Sequence, residues 1–120
     1  ASISSIDEYR DLIDELIDRF GDIPNEVNNL MDISYIRYLA SRNNIKDIHQ
    51  SGKEVVLEFK SLEAISLELL EFLSREYGKK LAFDLSKKPS FKLMWKENIL
   101  EELKSLIEKI NSFNHGKNNI

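Results

Sequence analysis

The spacing of apolar residues changes period twice along this chain, and nothing else in the sequence limits the fold as much. A helix repeats every 3.6 residues and a strand every two, so one apolar pattern cannot serve both. Ile6, Tyr9, Leu12, Ile13, Leu16, Ile17 and Phe20 step by three and four, which predicts one face of an α-helix. Ser5 followed by Glu8 fits a capping box at its start. Gly21 stands where a left-handed residue ends a helix, and Pro24 suits the first turn of the next. Val27, Leu30, Met31, Ile33, Ile36, Leu39 and Ala40 continue the helical period, with a stop expected at Asn43-Asn44.

Beyond Asn44 the period shortens. Residues 45–51 and 53–59 flank the turn signal Ser51-Gly52, and Val55, Leu57 and Phe59 alternate with Val56, Glu58 and Lys60. Ser61 can cap a third helix that buries Leu62, Ile65, Leu69, Phe72, Leu73 and Tyr77 and closes at Gly78. Leu81, Phe83 and Leu85 then alternate, Pro89-Ser90 marks a turn, and residues 91–96 return as a strand. Ile99, Leu103, Leu106, Ile110 and Phe113 predict a final core-facing helix. The expected fold is α+β: two N-terminal helices, a β-hairpin, a helix, a second β-hairpin and a C-terminal helix. One domain over 1–113 is expected, with a frayed tail at 114–120.

Composition removes most chemistries. The chain has 120 residues and no Cys, so a disulfide scaffold, a Cys zinc site and a thiol nucleophile are excluded. His49 and His115 are its only imidazoles; His49 reads as a structural or surface histidine, and no metal site is expected. The four glycines are too dispersed for a phosphate-cradling loop. No serine has a nucleophile elbow around it. The expectation is a non-enzymatic chain without a cofactor. No apolar run reaches the roughly 20 residues that span a membrane, and no signal peptide is evident, so a cytoplasmic setting is expected.

The net charge of −4 hides an uneven distribution. Residues 1–32 hold nine acids against two bases, a net of −7, and residues 79–96 hold six lysines against Asp84, a net of +5. Asp7, Asp11, Asp14, Glu15, Asp18 and Asp22 recur at helical spacing beside the apolar stripe. Such a run is either a solvated helix face or a docking strip for a basic partner, whose arginines would relieve the repulsion and form charge-assisted bonds. The lysines are interleaved with Phe83, Phe91 and Trp95, a combination that can bind single-stranded nucleic acid. The phase of Phe83 and Phe91 favours core packing instead, and lysines also protect sheet edges. Lys87, Lys88 and Lys92 are the candidate contacts of the nucleic-acid alternative.

One stretch is more specific. Glu15-Leu16-Ile17-Asp18-Arg19-Phe20-Gly21, then Ile23-Pro24, Val27, Leu30, Ile33, Ile36 and Leu39-Ala40, resembles the C-terminal domain of bacterial transcription-repair coupling factors. The order of hairpins and helices downstream resembles it too. Two places differ: Asn43-Asn44 stands where the family has Leu-Gly, and Ser34-Tyr35-Ile36-Arg37 replaces an Ala-x-Leu-Lys. Asn tolerates the left-handed conformation best among non-glycine residues, so the helix stop is expected to survive.

The resemblance implies a longer parent: an ATP-driven double-stranded DNA translocase that displaces stalled RNA polymerase and recruits excision repair. ATP and Mg would belong to its motor domains, whose motifs this chain lacks. In the family this domain docks on an N-terminal UvrB-like module of the same protein and covers the surface that binds UvrA. Acids of the first helix face arginines of that module there, and the matching positions here are Glu15 and Asp18. Asp11, Asp14 and Asp22 extend the same strip. The chain by itself is expected to be monomeric.

Overall fold

The computed structural model describes residues 5–20 and 25–116, with all side chains but those of residues 6, 16, 17, 19, 20 and 25–27. Gly21, Asp22 and Pro24, and residues 117–120 of the tail, lie outside the described residues. Helix α1 (Ile6–Phe20) is followed by α2 (Asn25–Arg42), strands β1 (Ile45–Ser51) and β2 (Glu54–Phe59), α3 (Leu67–Tyr77), β3 (Leu81–Asp84), β4 (Ser90–Met94) and α4 (Ile99–His115). The architecture is α+β, as the change of period predicts. Both hairpins join one antiparallel sheet in the order β1-β2-β4-β3.

Local chemistry explains most boundaries. The Ser5 hydroxyl accepts the Glu8 amide at 3.1 Å and starts α1. Asn44 ends α2 at φ +59°, the left-handed conformation that favours glycine and that Asn tolerates, so the expected helix stop survives. In the β1–β2 hairpin Gly52 has φ +61° and Lys53 does not turn positive, the pattern of a type II′ loop. The start of α3 differs from expectation. Ser66, not Ser61, is the cap, and its hydroxyl accepts the Leu69 amide at 3.1 Å. Residues 62–64 form only a 3-10 turn, closed by Ala64 and Ile65 amides on the Ser61 and Leu62 carbonyls. Extended backbone at Ile65 ends that turn while its side chain packs on the core, so Leu62 stays half exposed.

The helices cover one face of the sheet. Val55, Leu57, Phe59, Phe91 and Leu93 point into it and are buried with Leu39 of α2, Leu69 and Leu73 of α3, and Leu106, Ile107 and Ile110 of α4. Phe91 packs between Phe59 and Phe83 at ring distances of 4.6 and 4.9 Å, so the two expected core phenylalanines are inward. Two apolar residues of α2 are not: the buried stripe runs Met31, Tyr35, Ile36, Leu39 and Ala40, leaving Leu30 65% exposed and Ile33 at the surface. A 3.6-residue period admits one stripe on α2, and it is the one that meets α4.

The C-terminal helix runs two residues past Phe113, through Asn114 and His115. Side-chain bonds to the end of α2 hold them. Asn114 donates to Asn43 Oδ1 at 2.9 Å, and His115 Nε2 lies 3.1 Å from the Arg42 carbonyl oxygen. Asn43 in turn donates to the Leu39 carbonyl and to Asn111 Oδ1. A polar clamp therefore replaces the expected fraying at 114 and 115.

Candidate functional site: the acidic face of α1

Helix α1 is held to the body through its inner side. Tyr9 is buried, and Leu12 and Ile13 pack against the core. The Tyr9 ring stacks on Tyr35 of α2 at 4.6 Å, and its hydroxyl donates to Asp32 Oδ1 at 3.0 Å. Lys104 of α4 reaches the same Asp32 oxygen at 3.2 Å and the Tyr9 hydroxyl at 3.3 Å, with its ammonium over both tyrosine rings. Tyr35 donates to Glu108 at 2.7 Å. Three helices thus share one polar network, in which Asp32 is only 4% exposed.

The network shifts its own titrations. Burial pushes the Tyr9 phenol up, against the hydrogen bond from Lys104. Burial, then the Glu108 carboxylate, pushes Tyr35 far above the ordinary phenol range. Burial would lower Lys104, but its bonds to Tyr9 and Asp32 more than offset this and hold it above its ordinary value.

The outer side of α1 carries the acids. Asp7, Asp11, Asp14, Glu15 and Asp18 are all exposed. At 3.6 residues per turn they fall within about 100° of arc, opposite Tyr9, Leu12 and Ile13. Glu15 and Asp18, three apart, share that face. Asp22, the remaining member of the strip, lies outside the described residues. Asp32 counts towards the same acidic excess in sequence but belongs to the buried network. Tyr9, Asp32 and Lys104 were not recognisable as partners, because their separations of 23 and 72 residues leave no local signal.

The lysine-rich segment does not form one patch. Lys87 and Lys88 are exposed in the loop between β3 and β4, whereas Lys79, Lys80 and Lys96 stand at the other end of that hairpin, around Met94 and Trp95. Lys53 joins this second group, with its ammonium 4.6 Å from the Trp95 ring centroid. Lys92 is half-buried on the outer sheet face, paired across the strands with Val56 and Ala82. A strand of four residues separates the two ends by about 13 Å, beyond the screening length at physiological salt.

Fold and site together define a class: a small single-sheet α+β domain whose first helix turns a row of carboxylates outward. A family model described as the TRCF domain matches residues 1–70. The chain belongs to that family and is a C-terminal domain of a transcription-repair coupling factor. The transcription-repair-coupling factor of Rickettsia typhi is 31% identical over 106 residues, covering 88% of this chain and 10% of the relative. That of Staphylococcus aureus is 33% identical over 109 residues, covering 88% and 9%. The chain therefore spans about a tenth of the length of these relatives. A solved structure titled as the C-terminal domain of transcription-repair coupling factor matches with a TM-score of 0.63 at 20% identity, over 92% of this chain and 75% of that one. Among the described residues no helix is long and apolar enough to cross a membrane.

Proposed function

We propose that this domain is a docking and autoinhibitory element of a longer coupling factor. The factor as a whole would act on DNA and RNA polymerase and recruit UvrA. The exposed face of α1 would bind arginines of the N-terminal UvrB-like module in the same protein and mask its UvrA-binding surface. The observation that carries this reading is the division of α1: Tyr9 fixes the helix inward, while Glu15 and Asp18 are exposed on its opposite side. A fixed helix offers its carboxylates with little ordering cost, and arginine pairs with carboxylates in bidentate geometry.

The mechanism is competition for one surface. A closed state favoured by about 3 kcal/mol leaves the UvrA site open in under about 1% of molecules. Engagement of polymerase and DNA would shift that balance. Removing one acid from a desolvated pair strands the opposing arginine and costs about 2–5 kcal/mol. A full-length factor carrying Glu15→Ala and Asp18→Ala is therefore expected to bind UvrA at least about tenfold more tightly. Unchanged UvrA affinity in a titration would show that these residues do not gate the site.

A further inference from the structure

The outer face of the β1–β2 hairpin brings together three side chains that the docking reading does not use. Asp47 and His49 lie two apart on β1, and Glu58 stands directly across from Asp47 on β2. One ligand atom from each, a carboxylate oxygen or an imidazole nitrogen, falls within 4.8 Å of the others. His49 Nδ1 and Asp47 Oδ2 are already 2.7 Å apart. We propose that Asp47, His49 and Glu58 form a binding site for a divalent transition-metal ion, open to water at its remaining position.

Three observations support this. The first is the backbone. The β1–β2 register shifts between Ile45 and Asp47. Continuing the Ile45–Phe59 pairing without that bulge would set Asp47 opposite Leu57, on the helix-covered side. The bulge sends Asp47 outward instead, onto the face of His49 and Glu58; bulges re-aim side chains in this way. The second is charge. Two carboxylates directly opposed across antiparallel strands repel each other. Among the described residues no lysine or arginine nitrogen lies within 4.0 Å of either one. A dication would neutralise both at once. The third is geometry and donor type. Zinc bonds of about 2.0–2.1 Å at tetrahedral angles put neighbouring ligand atoms about 3.3 Å apart. Small side-chain rotations reach that spacing from the observed one, with the hydrogen of the His49–Asp47 bond replaced by metal. One imidazole and two carboxylates suit a borderline ion better than Mg²⁺ or Ca²⁺, which prefer oxygen alone. The side chains of His49 and Asp47 are 47% and 53% exposed, so an ion has direct access.

The test is calorimetric titration of the chain with Zn²⁺, with the two histidine ring signals followed by NMR. Saturable binding of one ion per chain that shifts the His49 signals and spares those of His115 is expected. His49→Gln, Asp47→Asn and Glu58→Gln, all on the solvated sheet face, should each weaken binding by about tenfold or more. His115→Gln should leave it unchanged. No saturable binding by about 1 mM Zn²⁺ would overturn the site. So would equal affinity in His49→Gln, or loss of binding in His115→Gln.

Discussion

The two sides of α1 carry similar polar groups and put them to opposite use. On the inside, Asp32 is buried and accepts from both Tyr9 and Lys104, so removing it takes the shared acceptor from two groups at once. On the outside, Asp11, Asp14, Glu15 and Asp18 stand in solvent, where water screens them and their effect on folding is small. Burial, and not residue type, decides whether an acid of this region supports the fold.

The largest effect expected from this difference follows Asp32→Ala. It leaves the Lys104 ammonium and the Tyr9 hydroxyl without their shared acceptor and should lower stability by about 2–3 kcal/mol in urea unfolding. Asp18→Ala in the same chain should change stability by no more than about 0.5 kcal/mol. Equal losses in the two variants would erase the distinction. A smaller effect concerns Tyr35→Phe, which removes the donor to Glu108 and should cost about 1 kcal/mol at neutral pH.

The same variant sharpens the comparison through pH. Tyr9, Tyr35 and Lys104 all titrate above their ordinary values of 10.0, 10.0 and 10.5 in the folded chain. The folded state therefore holds these protons when the unfolded chain has begun to release them. Their contribution is complete below about pH 10 and is lost as pH rises through the folded values. Stability should fall steeply above pH 10, and Tyr35→Phe should flatten that fall. A slope unchanged by the substitution would remove Tyr35 from the linkage. The smallest expected effect lies away from both sides of α1. Asn44→Gly, at φ +59°, should stabilise the chain by about 0.5 kcal/mol and leave the alkaline slope as it was.

Local signals in the sequence were strong where the chain's own neighbours decide the outcome. The Ser5 cap, the stop at Asn44, the Ser51-Gly52 turn and the inward phase of Val55, Leu57 and Phe59 are each set within a few residues. Ser61 and Ser66 show the limit: both are competent caps, and packing of Ile65 decides between them. Leu30 and Ile33 fit a helical period as well as Met31 and Ile36 do, and only the direction of α4 separates the buried set. The acidic strip was visible as a charge pattern, yet Asp32 could not be told apart from its exposed neighbours. The site on β1 was hidden for a different reason. Ile45, Asp47 and His49 alternate as if they shared one face, and the bulge that separates Ile45 from the other two leaves no mark in residue type.

The position of Trp95 has a practical consequence. It is the chain's sole tryptophan, and it sits just after β4 beneath the Lys53 ammonium, with its amide bonded to the Lys53 carbonyl. Its fluorescence therefore reports on the seam between the sheet and the start of α4. Helical circular dichroism is weighted towards the four helices, α1 among them. If α1 came away before the sheet opened, the dichroism would change first and the emission later. Two optical traces recorded on one sample would then separate release of the acidic helix from unfolding of the body that carries it.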